Sequence, residues 1–312
     1  MISPDAHYPS PSSPPVRSAR LSPAIRLLLF FLTGGAAAVT VGLAVVVVLL
    51  VHTGASAPEA LLERYLLVLT CALLVPMAAI GVVFARRVDG RTMAQFGLGL
   101  DCAGGRWLAT GLAAGLAATA ALYGVLVATG AVTVHGLMPT RLLRAEAGPE
   151  WSLVALLLLF GVQSASEELI VRGYLLQNLV DLWGKPAAVV VSSVLFALLH
   201  GANPGAQPFA LLNILLIGLL FALSYLRTGG LWFAIGLHWA WNFGLGALFS
   251  LPVSGCTIDG LVLTEARPVL PWLTGGDFGP EGGLAGTLAI ALLTLVLARL
   301  TASRGAAIVR GT

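Results

Sequence analysis

The chain has 312 residues, of which 58% are hydrophobic and 10% charged. Soluble domains carry about 25% charged residues, so with a mean hydropathy of +0.93 a water-soluble fold is excluded by the apolar surface it would have to hide. The net charge is only +3, and the basic residues stand in short stretches between apolar runs, a membrane-topology signal rather than a nucleic-acid-binding one.

In chain order, residues 1–23 are rich in Ser and Pro and carry Arg17 and Arg20, the composition of a disordered cytosolic tail. Apolar runs follow at 27–51, 65–85, 107–134, 153–179, 187–200, 209–226, 231–251 and 284–300. Most of them reach the roughly 20 residues a helix needs to cross about 30 Å of hydrocarbon. The run at 27–51 exceeds the h-region of a signal peptide, although Ala55-Ser56-Ala57 has a cleavage-site form. Alternate sides of these runs differ in Lys and Arg. One side collects Arg17, Arg20, Arg26, Arg86, Arg87, Arg91, Arg106, Lys185, Arg227, Arg299, Arg304 and Arg310, the other only Arg64, Arg141, Arg144 and Arg267. The bias satisfies the positive-inside rule with both termini cytoplasmic. The evenly spaced turns and alternation of a barrel are missing. The expected fold is therefore an all-α polytopic transmembrane helix bundle of about eight spans. It divides into the tail 1–23, N-terminal spans in 24–150, a core at 151–250, and 251–312 with an outer loop, the last span and a short cytosolic tail.

Some local signals refine this outline. Gly111-x-x-x-Gly115 places small residues on one face of the third span, which lets helix backbones approach closely. The fifth run is short and leads into Gly201-Ala202-Asn203-Pro204, a helix expected to stop inside the protein. Cys71, Cys102 and Cys256 lie apart without a CxxC pair, so neither a disulfide framework nor a cysteine-based metal site is supported. The stretch from Pro252 to Gly283 is the longest outer loop and shows no readable role.

The fourth run holds Ser166-Glu167-Glu168-Leu169-Ile170-Val171-Arg172. Each charge costs at least about 2.5–3.5 kcal/mol near a membrane helix centre, so these side chains must face protein or water. Glu168 and Arg172 share a helix face four residues apart, and an ion pair between them offsets part of the cost. Glu167 is turned about 100° away and is left over, which makes it the natural general base. The bland alternative is a cluster that only locks helices together. His200 and His238 stand in apolar surroundings, His200 four residues after Phe196 and His238 four before Asn242. At about 1.5 Å per residue, Glu167, His200 and His238 reach similar depths in the bilayer. Intramembrane Glu and His at one depth mean either an ion path or buried hydrolytic chemistry. Trp239 and Trp241 flank His238, with packing against lipid as the expected role and a pocket wall as the alternative.

Together, the EExxxR pattern at Glu167, Glu168 and Arg172, FxxxH at Phe196 and His200, and HxxxN at His238 and Asn242 resemble the CPBP family. That family comprises type II CAAX prenyl proteases and bacteriocin-processing enzymes, also called Abi, and the likeness covers about 153–249. It implies an intramembrane endopeptidase in which Glu167 and His200 hold and activate a water. By the same likeness His238 and Asn242 stabilise the oxyanion, and Glu168, Arg172 and Phe196 shape the site. It further implies a peptide or protein substrate in or near the bilayer, no nucleic-acid partner, and a place in the plasma membrane of a bacterium. Glu167, His200 and His238 are also a possible zinc set, although the helical HExxH motif of common zinc proteases is missing, so a metal-free site and a zinc site both stay open. Two rivals remain at this point: a proton-coupled transporter, which predicts internal repeats that the first spans do not show, and a non-catalytic scaffold or immunity protein of the same family.

Overall fold

The structure, a computed structural model, describes residues 21–54, 58–138, 152–267 and 270–309; most of the expected tail and part of the outer loop at 139–151 lie outside these. Helix α1 (Pro23–Thr53) starts where Ser22 accepts a hydrogen bond from Ile25 N and ends at Gly54, whose positive φ suits a left-handed cap. Helix α2 (Pro58–Arg87) pairs with α1 and is kinked at Tyr65. A single turn, α3 (Met93–Phe96), closed at its start by Thr92 and Gln95, leads to α4 (Cys102–Ala128), capped by Asp101.

Helix α4 is the first departure from the expected spans. The apolar run extends to 134, but the helix stops at Ala128, Gly130 takes φ 67°, and Val132–Leu137 becomes strand β1. The β-branched Val132, Thr133 and Val134 suit a strand better than a helix end. They pair antiparallel with β2 (Val262–Ala266), matching Val132 with Ala266 and Val134 with Thr264. This two-stranded ribbon was not anticipated.

Helix α5 (Leu153–Glu168), capped by Ser152, passes into a π-helical stretch at Leu169–Leu175 and then into α6 (Leu176–Leu199). The helical path turns at Gly184, whose φ of 80° and ψ of 169° no helix can hold. His200–Ala202 forms a 3-10 turn, after which come α7 (Pro208–Thr228), α8 (Trp232–Asn242) and a second π-helical stretch at Phe243–Leu248. A short turn, α9 (Pro271–Thr274), precedes the last helix, α10 (Leu284–Val309). Among the described residues six helices are long and apolar enough to cross a membrane, which makes this an integral membrane protein built as an all-α bundle. The eight expected runs exceed the six helices for two reasons: one helical path, Leu153–Ala202, contains two runs joined at Gly184, and α8 with its π stretch is short.

The tightest crossing in the bundle joins α4 to α8. A Cβ on Gly115 would stand 2.7 Å from Ala240 Cβ and 2.8 Å from Leu237 O, and one on Gly111 would come closer still to the α8 backbone, at Phe233 O. The Gly111-x-x-x-Gly115 face therefore meets the helix that carries His238. Helix α5 packs on α2 and α8, and α6 on α7. A polar clasp ties one end of the bundle: Arg26 pairs with Asp89 at 3.3 Å, Arg91 pairs with Asp181 at 2.6 Å, and Asn178 donates to Asp89 at 3.2 Å.

Candidate functional site

The centre of the site is a fully buried ion pair. Arg172 Nη1 donates to Glu168 Oε1 at 3.1 Å, and both side chains have 0% exposure. The pair joins the last residue of α5 to the middle of the first π stretch, and a π turn is a frequent device for re-aiming side chains at functional sites. Arg172 Nη2 donates to Gly218 O at 3.2 Å, which anchors the guanidinium to α7. Its carbon lies 4.4 Å from the Phe196 ring centre and 5.1 Å from that of Phe221. Two aromatic faces thus stabilise a cation whose donors meet few acceptors.

His238 completes this core. Its Nδ1 lies 3.0 Å from Glu168 Oε1, so the ring donates Nδ1–H to the same oxygen that receives Arg172. Phe221 stacks on the imidazole at 5.1 Å with planes 23° apart. The other ring nitrogen, Nε2, points to Glu167 Oε2 at 3.8 Å, beyond direct hydrogen-bond length and in the range a bridging water spans.

Glu167 is not simply left over. Gln163, one helical turn earlier, donates its amide to Glu167 Oε1. The orientation of Gln163 is set by its own acceptor side, where Asn242 Nδ2 donates to Gln163 Oε1 at 2.8 Å and Ser164 Oγ to the same oxygen at 3.3 Å. Asn242, Gln163 and Glu167 therefore form one line of hydrogen bonds, and Glu167 Oε2 has no hydrogen-bond partner among the described residues. Asn242 is the last residue of α8, immediately before the second π stretch.

His200 stands apart from this group. Its Nδ1 lies 2.8 Å from Phe196 O, one turn back in its own helix, so this nitrogen donates and Nε2 is left as the acceptor. The imidazole reaches the others through Phe196, whose ring is 4.6 Å away and in turn faces Arg172. Of the residues expected from sequence, Glu167, Glu168, Arg172, His238 and Asn242 are gathered by direct polar contacts or facing charges, while Phe196 and His200 flank them. Among the described residues no three His, Cys, Asp or Glu side chains are grouped so as to hold a metal ion. The Glu167, His200 and His238 set does not fit zinc as arranged here, and no step below passes through a metal.

Three residues of the site escaped the sequence reading. Gln163 had a signal, being an amide in an apolar run at the i, i+4 spacing from Glu167. Phe221 had none, because a phenylalanine in an apolar helix is ordinary. Glu281 lies in the outer loop, where it is 5% exposed and accepts from Trp241 Nε1 at 2.9 Å. Trp241 is accordingly buried at 1% exposure, so the expectation that it packs on lipid is overturned: an indole with a buried carboxylate partner is drawn into the protein. Trp239 donates to Leu157 O at 2.8 Å.

Residues 149–244 match the family described as Type II CAAX prenyl endopeptidase Rce1-like. A curated relative, the uncharacterized protein YyaK of Bacillus subtilis (strain 168), is 33% identical over 99 residues, which is 30% of this chain. The match spans about a third of that relative's length, 33%. No solved structure matches the chain. The matched stretch, in the middle of this membrane protein, contains Glu167, Glu168, Arg172, Phe196, His200, His238 and Asn242.

Proposed function

From an integral membrane protein whose residues 149–244 are Rce1-like, we propose an intramembrane endopeptidase that hydrolyses peptide bonds of membrane-associated or prenylated peptides with a water activated by glutamate and histidine. The observation that carries the reading is Glu167, fixed through Oε1 by Gln163 while its unpartnered Oε2 faces His238 Nε2 at 3.8 Å. A water in that gap would donate to Glu167 and attack a peptide carbonyl as the carboxylate takes its proton, a role typically worth about 10²–10⁴-fold.

The remaining roles follow from donor chemistry. His238, held by Glu168 through Nδ1, presents Nε2 towards the reacting atoms, and the neighbouring Glu168–Arg172 pair keeps its plane fixed. The Asn242 amide, which holds Gln163 Oε1 and Ser164 Oγ at rest, is the donor that would turn to the oxyanion of the tetrahedral intermediate; such donors are worth about 2.7–4 kcal/mol. His200 has its acceptor Nε2 open to hold the water or the leaving amine once substrate draws the two arms together. Glu167, protonated in the first step, returns its proton to that amine. We place the protein in the plasma membrane of a bacterium, with about eight passes when the two runs of the Leu153–Ala202 path and α8 are counted separately, both termini cytoplasmic and the bilayer as its medium.

The test is cleavage of a mixed library of membrane-tethered and prenylated peptides by detergent-purified protein. Wild type should cleave, Glu167→Ala and His200→Ala should lose cleavage while remaining folded, and a chelator should leave the wild-type rate unchanged. Cleavage that survives Glu167→Ala contradicts the reading. Cleavage lost to chelator and restored by zinc contradicts its metal-free step.

A further inference from the structure

The outer loop between the second π stretch and α10 is not idle. It returns into the protein, and Phe278 and Glu281 are buried there. Glu281 is the only carboxylate among the described loop residues 252–267 and 270–283 that is buried below a tenth exposure, and each of its oxygens is engaged. Oε1 accepts from Trp241 Nε1 at 2.9 Å; Oε2 accepts from Ser254 N and Ser254 Oγ, both at 2.7 Å.

These two partners lead to different histidines. Trp241 lies on α8, one turn after His238 and next to Asn242. Ser254 holds a left-handed backbone, φ 47°, which a serine adopts only under constraint. Its carbonyl receives Asn203 Nδ2 at 2.9 Å, and Asn203 N donates to His200 O at 3.1 Å. One carboxylate therefore grips the helix of His238 on one side and, through Ser254 and Asn203, the 3-10 turn of His200 on the other. The loop itself is clamped at that point, because Asn213 of α7 donates to Glu281 O at 2.8 Å and Gly283 O at 3.0 Å.

We propose that Glu281 is a positioning residue that sets the spacing between the His200 turn and the His238 helix. His200 makes no direct polar contact with the Glu167–His238 group and meets it through the Phe196 ring; Glu281 is the polar anchor that the two segments share. It lies beyond the Rce1-like stretch. The outer loop thereby becomes part of the site's framework, not merely a connection to α10. The kinetic arm of the test rests on the endopeptidase reading; the spectroscopic arm does not.

The experiment is to record ¹⁵N-histidine spectra of the full chain in detergent micelles, with His200 and His238 assigned by His→Gln variants and His52 and His135 as internal references. Glu281→Ala removes both anchors and should move the His200 and His238 signals together. Glu281→Gln offers one acceptor oxygen in place of two, keeps one anchor, and should move one of them. Trp241→Phe should move His238 alone and Ser254→Ala His200 alone, and these two decide the matter if the Glu281 variants fail to fold. In cleavage assays Glu281→Ala should lower kcat by roughly 10- to 100-fold with KM within about twofold, and Glu281→Gln should recover part of the loss. A folded Glu281→Ala protein whose two histidine signals stay in place overturns the proposal, as does Trp241→Phe moving neither. If no form of the chain cleaves any peptide, the endopeptidase reading fails while the histidine signals still decide the positioning role.

Discussion

His238 donates Nδ1–H to Glu168 Oε1 at 3.0 Å, and that oxygen is the one that already receives Arg172. A single carboxylate oxygen thus balances a buried guanidinium and orients an imidazole, so the second glutamate of the pair is the structural keystone while Glu167, beside it in sequence, is left facing the open side of the ring.

Removing the charge of Glu168 leaves Arg172 buried without its counter-ion. Glu168→Gln should destabilise the protein by about 3–5 kcal/mol, the usual cost of breaking one partner of a buried pair. Thermal unfolding in detergent measures it. Arg172→Met placed on the Glu168→Gln background should restore much of the loss, because the uncompensated charge is then gone.

Gln163 links Asn242 to Glu167, and neither contact is reproduced by a hydrocarbon. Gln163→Leu should cost about 1–3 kcal/mol for the buried groups it leaves unpaired and lower kcat more than it changes KM, since the base loses its orientation and not its substrate. Steady-state kinetics beside a melting curve separate the two effects. A rate equal to wild type would remove Gln163 from the site.

The α4–α8 crossing leaves no room for a side chain at Gly115, where a Cβ would meet Leu237 O at 2.8 Å. Gly115→Val should therefore destabilise by about 1–3 kcal/mol through overpacking and displace the helix that bears His238. Gly124, which has open space around it, is the matched control, and Gly124→Val should be nearly silent in the same melting experiment.

Asp89 lies outside the spans, and burial raises its carboxyl above the ordinary range, with Arg91, Arg26 and Asn178 opposing the shift. The folded state therefore binds the Asp89 proton more tightly than the unfolded chain. Its contribution is most favourable below the unfolded value of about 3.9 and is lost as pH rises through the higher folded value. Wild type should lose stability relative to Asp89→Asn across that acidic window. A difference between the two melting temperatures that is flat with pH would contradict the assignment.

Much of this site was legible in the order of residues because charge in an apolar run is costly and helical spacing is fixed. Glu168 and Arg172, four apart, pair as expected, and His238 and Asn242 share a face of α8 and engage neighbouring members of one network. What was hidden had physical reasons. The amide of Gln163 costs too little in an apolar helix to stand out beside two carboxylates, and Phe221 carries no polarity at all. The path of a loop is not encoded in periodicity, so neither Glu281 nor the inward turn of Trp241 could be read. The Val132–Leu137 strand was absorbed into a span because hydropathy does not distinguish an apolar helix end from a β-branched strand, and Gly130 was the one mark of the change.

The most direct test of glutamate-dependent hydrolysis is cleavage of a tethered peptide in H₂¹⁸O, with mass analysis of the newly formed carboxyl terminus. Wild type should place one ¹⁸O in that carboxyl group under single turnover without any covalent peptidyl adduct on the protein, and Glu167→Gln, folded to the same melting temperature, should form no product. A trapped peptidyl adduct, or labelled product formed by Glu167→Gln at the wild-type rate, would contradict water activation by Glu167.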